Sequence, residues 1–339
     1  MFSPFLTTGI GSLPHKDPEQ ACRLVLDTFD IPFWPQLPQL SFHEFMIPQY
    51  AEGIPSLKID EQKEKISIAK DDPAALTHFY ESYSEDLLIP VSEHFARGFY
   101  AFIRKIEGNK HFRFLKGHVT GPLTFTLGLR DNGGRLLFFD EEFREISLLV
   151  LKAKIRWQIQ QLKPFADNII IFIDEPVLSA LGTSSYLGVD ANEALRLLRE
   201  TSDAVKNAGG IPGIHCCSKA DWPLVINSDV SIISFDAYDY IKSISLYPAE
   251  FTAFLKRGGY LAWGIVPTTD AIRKETPVSI KKRFDEGMEL LSTSIPSTLL
   301  LSRILLTPSC GAGSRSIEEA GKVFQVLGEV KTLLRGAYP

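Results

Sequence analysis

Eight short apolar runs punctuate this chain, each closing on glycine or polar residues, and most give way to a helical pattern. They are Phe5 to Ile10, Pro35 to Leu40, Phe112 to Lys116, Asn168 to Ile173, Ile211 to Ile214, Val230 to Phe235, Tyr260 to Val266 and Arg303 to Leu306. The fourth shows no apolar/polar alternation, as a parallel strand covered on both faces requires. Between the runs, Asp17-Pro18 caps and opens a helix to about Asp27. Asp72-Pro73 opens a long helical region to about Ile106. Glu141 to Leu162 carries apolar residues at three-and-four spacing, and Ala191 to Ala208 is closed by Gly209-Gly210. Ser316 with Glu319 makes a capping box for a last helix to about Leu334.

A strand–helix unit repeated eight times predicts an α/β fold, a single (β/α)8 TIM barrel forming one domain over residues 1–339. An open doubly wound sheet would gather its functional residues at one switch point. Here unusual polar residues follow nearly every run, and a barrel collects all such ends on one face. The second run is weak, rich in Pro and Gln. Residues 42–69 after it read as an irregular insertion on the rim of that face, with a turn at Gly53-Ile54-Pro55 and an edge hairpin at Leu57 to Ala69.

Composition narrows the function. A formal net charge of -5 without a basic run excludes a broad nucleic-acid or membrane footprint. No stretch reaches the ~18 apolar residues of a membrane span, and residues 1–6 do not read as a secretion signal. Four cysteines, two of them adjacent, fit a reduced compartment and a metal or thiol role rather than a disulfide framework. The cytoplasm is the expected location.

The chemistry centres on Gly213-Ile214-His215-Cys216-Cys217, a strand end running into a loop. Cys310, in Thr307-Pro308-Ser309-Cys310-Gly311, stands at the end of the eighth run. His215, Cys217 and Cys310 form a soft donor set of the kind zinc prefers, and Cys216 points the other way, into packing. Each residue alone reads as core, but three at strand ends on one face read as a metal site. Asp174 and Glu175 end the fourth run, where unpartnered carboxylates are costly to bury, and are candidates to hold a substrate ammonium. Asp236 is a candidate oxygen ligand or an acceptor that orients one. Gly11-Ser12 offers N–H groups and a hydroxyl to a carboxylate. Gly311-Ala312-Gly313-Ser314 reads as the lead into the capping box rather than an anion loop. Of the other histidines only His15 and His118 lie at predicted strand ends.

The ordered set Thr8-Gly9-Ile10-Gly11-Ser12, Thr120-Gly121-Pro122-Leu123-Thr124, Ile173-Asp174-Glu175-Pro176, His215-Cys216-Cys217 and Pro308-Ser309-Cys310-Gly311 resembles the catalytic domain of cobalamin-independent methionine synthases. These share a barrel superfamily with uroporphyrinogen decarboxylases and zinc-dependent corrinoid methyltransferases. The resemblance implies a Zn2+ ion held by His215, Cys217, Asp236 and Cys310, with Asp236 standing where family members usually carry Glu. It also implies an amino-acid substrate held by Ile10, Gly11, Ser12 and Asp174, and methyl transfer to a small-molecule thiol such as homocysteine. The family's His-Gly-Glu has no match near Pro38-Gln39-Leu40. Its folate-holding Trp is replaced around Leu127-Gly128, and its Asp-x-His after the seventh strand by Gly264-Ile265-Val266-Pro267. The expected donor is therefore a methylated corrinoid protein or another methyl donor, not the standard folate. The competing expectations are a decarboxylase like the uroporphyrinogen enzymes and a non-catalytic metal- or thiol-binding barrel of a methyl-transfer system.

Overall fold

The computed structural model describes residues 2–70, 72–108, 111–183 and 186–338. The expected edge hairpin is present: β1 (Leu57–Asp60) and β2 (Lys65–Ile68) pair antiparallel with Leu57 opposite Ile68. The main sheet is parallel and six-stranded, with neighbours in chain order. Its strands are β3 (Phe112–Thr120), β4 (Ala166–Asp174), β5 (Ile211–Cys216), β6 (Ile232–Asp236), β7 (Tyr260–Val266) and β8 (Ile304–Pro308).

The first two of the eight expected strands are not continuous strands. Their segments lie between the sheet's two edges and touch them through isolated parallel bridges, Thr7 to Leu306 on β8 and Phe33 to Lys116 on β3. Thr8 N donates to Leu306 O (3.1 Å), Ile31 N to Thr7 O (3.0 Å) and Lys116 N to Pro32 O (2.8 Å). The second segment thus makes its contacts over residues 31–36, ahead of the expected 35–40. Pro32, Pro35 and Pro38 have no N–H to give a ladder, which limits this stretch to single bridges.

Period two decides what each strand offers to either face. Phe114, Ile170, Phe172, Ile232, Ala262 and Leu305 belong to one apolar cluster. Two residues further along β3, β4 and β6, the same face carries Lys116, Asp174 and Ser234. On β5 this face carries Gly213, against which Phe172 packs, and then His215. This face is apolar at the strand starts and polar at their carboxyl ends. The alternate residues, among them Ile171, Ile173, Cys216, Ile233 and Trp263, join the larger core shared with the helices.

The expected helices Asp17–Asp27, Glu141–Leu162 and Ala191–Ala208 appear as Pro18–Thr28, Glu141–Leu162 and Ala191–Asn207. The long helix expected from Asp72 to Ile106 is two, Pro73–Ser82 and Arg97–Ile106. Tyr83 leaves helical geometry (ψ 133), and Pro90 bars continuation through the segment between. The Ser316–Glu319 capping box is formed and starts the helix Ile317–Ala337. Among the described residues no helix is long and apolar enough to cross a membrane.

Candidate functional site

His215 is placed by strand register. It lies opposite Asp174 on β4 and Ser234 on β6. Its Nδ1 meets Ser234 Oγ at 3.0 Å, while Nε2 is buried and has no hydrogen-bond partner. Burial, aided by the charge of Lys116, pushes its pKa down to about 3, so the ring is neutral near pH 7 with a lone pair to offer.

Cys216 closes β5 and is buried in the core, whereas Cys217 follows the strand end and reaches the open side. Cys310 arrives from beyond β8. Ser309 fixes the approach, because its N–H donates to Val266 O (2.8 Å) and its Oγ accepts from Thr268 N (3.2 Å). Ligand atoms of His215, Cys217 and Cys310 all lie within 4.8 Å of one another. A hydrogen bond from the Cys310 thiol holds Cys217 down to about 7, and the same bond together with burial drives Cys310 well above the usual thiol range.

These three side chains reach a cavity of about 370 Å3, and His215, Cys217 and Cys310 form part of its wall. Ile10, Ser12, Gln36 and Pro38 line it from the two bridging segments, Asp174 and Pro176 from the end of β4, and Gly311, Gly313 and Ser314 from the loop after β8. Phe45 and Met46 complete the wall. Gly311 and Gly313 let that loop pass close to Ser12: a Cβ on Gly311 would overlap Ser12 Oγ, and one on Gly313 would sit 3.0 Å from it. Ala312 N donates to Ser12 O (2.9 Å) and Gly313 N to Ser12 Oγ (3.3 Å), so chain positions some 300 apart share one wall.

The carboxylates take different places. Asp174 faces the cavity, and its Oδ1 is buried without a partner. Burial raises its pKa to about 8 against the opposing pull of Lys116. Glu175 is absent from the cavity wall. It is fully buried, with Oε1 accepting from Leu123 N (2.8 Å) and Oε2 from Thr124 N (2.7 Å) and Thr124 Oγ1 (2.6 Å). Both oxygens are engaged at the start of the helix Pro122–Gly128, and Gly121 is required there because a Cβ would overlap this carboxyl. Asp236 lies outside the His–Cys–Cys cluster. Its Oδ1 accepts from Asp239 N (3.0 Å) and caps the helix Ala237–Ile244. Burial raises it to about 7, and the charge on Cys217 adds to this. Gly11 does not line the cavity and packs on the His118 ring.

Sequence reasoning overlooked Lys116. It is fully buried, donates to Ile10 O at 2.7 Å and sits 4.5 Å from the Phe172 ring centroid. Burial lowers its pKa to about 7. The signal was available, since a lysine two residues beyond Phe114, on the same face of the strand, demands a buried partner. Phe45 and Met46 carried no comparable signal.

No family model and no curated protein matches this chain. Solved structures do. A B12-independent methionine synthase from Shewanella sp. W3-18-1, in complex with selenomethionine, superposes with a TM-score of 0.62 at 15% identity, covering 99% of each chain. A methyltransferase from Methanosarcina mazei gives 0.53 at 14% identity, covering 96% of this chain and 94% of its own. At such identities the likeness is one of fold, and by it this chain is built on the same fold as a B12-independent methionine synthase and a methyltransferase.

Proposed function

We propose that this protein is a zinc-dependent methyltransferase acting on a thiol, related to the methionine synthases, and that residues 1–339 form one (β/α)8 barrel with 42–69 as a rim segment. On this reading the two bridging segments are the first two barrel strands. The observation that carries the proposal is the clustering of a His215 ring nitrogen with two cysteine sulfurs at the wall of a cavity, with Nε2 of that ring buried and unpartnered.

The residues fit the metal. One imidazole and two thiols are a typical zinc donor set, and an Nε2 buried without a partner is costly unless something occupies it. His215, Cys217 and Cys310 would hold the ion, and Asp236 is the candidate fourth ligand. When bound, zinc with an open position lowers the pKa of an incoming thiol so that it is a nucleophile near neutral pH.

The chain's own residues do the rest. Ser234 fixes the His215 ring through Nδ1. Asp174, which lines the cavity and has an oxygen without a partner, is suited to the ammonium of an amino-acid thiol such as homocysteine. Ile10 and Ser12, which line the cavity, would receive its carboxylate. Glu175 holds the Gly121–Thr124 turn that backs this wall. Holding both reactants in one cavity removes much of the entropic barrier. The sulfur–carbon bond forms as the donor–methyl bond breaks, after the thiol proton has left.

The donor is a methylated corrinoid protein or a small methylated molecule, and an assay with each separates them. The decarboxylase alternative requires cations for a polycarboxylate substrate, and among the described residues the cavity wall carries no Lys or Arg. Elemental analysis of metal-repleted protein should show about one zinc per chain that depends on the cysteine cluster. Cys310→Ser should lose that zinc together with thiol methylation. Zinc near zero in the repleted wild type, or unchanged in the variant, overturns the proposal.

A further inference from the structure

A second group of ligating side chains stands on the rim. His43, Glu61 and His94 come from separate loops, and their ligand atoms also lie within 4.8 Å of one another. His43 belongs to a single turn (Phe42–Glu44), Glu61 follows β1 in the hairpin, and His94 precedes the helix Arg97–Ile106. His43 Nδ1 meets Ser41 Oγ at 3.2 Å, and its Nε2 faces Glu61 Oε1 at 3.5 Å. The His43 and His94 ring centroids are 4.1 Å apart.

The group is held in place without any ion. Glu44, next to His43, is fully buried and accepts from Leu37 N (2.9 Å) and Arg97 N (3.1 Å), so it fixes the spacing of the His43 turn and the His94 loop. Phe95 packs edge-on against the buried His43 ring, with centroids 4.8 Å apart. Glu61 and His94 are exposed, which leaves a path for a hydrated ion. An ordinary ion pair would explain His43 and Glu61 but not a second imidazole brought beside the first.

We propose that His43, His94 and Glu61 form a second divalent-metal site, distinct from the cysteine cluster. Two imidazoles and one carboxylate favour zinc, cobalt or nickel over the oxygen-seeking magnesium and calcium. The ion would tie the hairpin and the 92–96 loop to the turn that leads into Phe45 and Met46 on the cavity wall. It is a rim staple, and water completes its coordination.

The test is a Co2+ titration of the full chain followed by absorption. The cysteine cluster adds intense thiolate charge-transfer bands, whereas the rim site adds only weak ligand-field bands. Two equivalents are expected, the second without thiolate absorption. His94→Ala, at an exposed position, should lose that second equivalent alone, and Ser41→Ala should weaken it by about tenfold. The Cys217→Ser/Cys310→Ser protein should keep it, along with a zinc-dependent rise in Tm that adding His94→Ala abolishes. This arm reads the rim site whether or not the cysteines bind metal. The proposal is overturned if that double variant binds no ion, or if binding survives His94→Ala.

Discussion

Replacing Ser234 with alanine removes the hydroxyl that meets Nδ1 of His215 across the β5–β6 register. Both residues are buried, so water does not readily replace it. A buried Nδ1 left without a hydrogen-bond partner in that setting costs about 1–3 kcal/mol. The ring also loses the contact that sets which nitrogen carries the proton and which way Nε2 points. Removing such a supporting partner lowers metal affinity by about 10- to 100-fold, which corresponds to about 1.4–2.8 kcal/mol. The assay is competition for zinc against a chromogenic chelator, with Ser234→Thr alongside because it keeps the hydroxyl. Ser234→Ala should fall in that range, and Ser234→Thr should lie nearer to wild type. Wild-type affinity in a folded Ser234→Ala protein would refute ligation by His215 through Nε2.

In metal-free protein Cys217 should be alkylated by iodoacetamide with a midpoint near pH 7, because its thiolate is held by the Cys310 thiol. Cys310→Ser replaces that S–H by a differently placed hydroxyl and should move the midpoint upward; mass spectrometry of the modified peptide reads it. Gly121→Ala drives a methyl into the Glu175 carboxyl and should destabilise the fold by about 1–3 kcal/mol in urea unfolding. Lys154 is fully buried, donates to Pro90 O (3.0 Å), and burial lowers it to about 7. Between that value and its unfolded value of 10.5 the unfolded chain binds the extra proton, so wild-type stability should rise with pH relative to Lys154→Met. Parallel stability–pH curves for the two proteins would refute a neutral lysine there.

What could be read from the sequence was whatever local chemistry dictates. The helix Glu141–Leu162 has the same bounds in both readings because Asp140 caps it and its apolar residues repeat at helical spacing. β7 likewise runs from Tyr260 to Val266 as expected, an unbroken apolar stretch led by Gly258-Gly259. The first two runs failed as continuous strands because their prolines and glycines favour isolated bridges, which apolar content does not report. Glu175 and Asp174 are adjacent and chemically alike, yet one is engaged by the Leu123 and Thr124 N–H groups and the other faces the cavity. Alternation separates them, but only coordinates say which side is the cavity. The meeting of His215 with Cys310 depends on how the ends of the sheet approach each other, a property of the whole chain.

That dependence bears on biosynthesis. The wall joining Ser12 to Gly313 unites positions 301 residues apart, so the earlier one leaves the ribosome long before the later one. Cys310 is translated long after His215, so a growing chain can present only part of the thiol–imidazole cluster. Assembly of the pocket and joining of the two edges of the sheet then both wait for the segment that carries Cys310. A cell that supplies an ion to this cluster would have to do so after Cys310 has left the ribosome, which favours loading of the assembled cluster over loading of its first half.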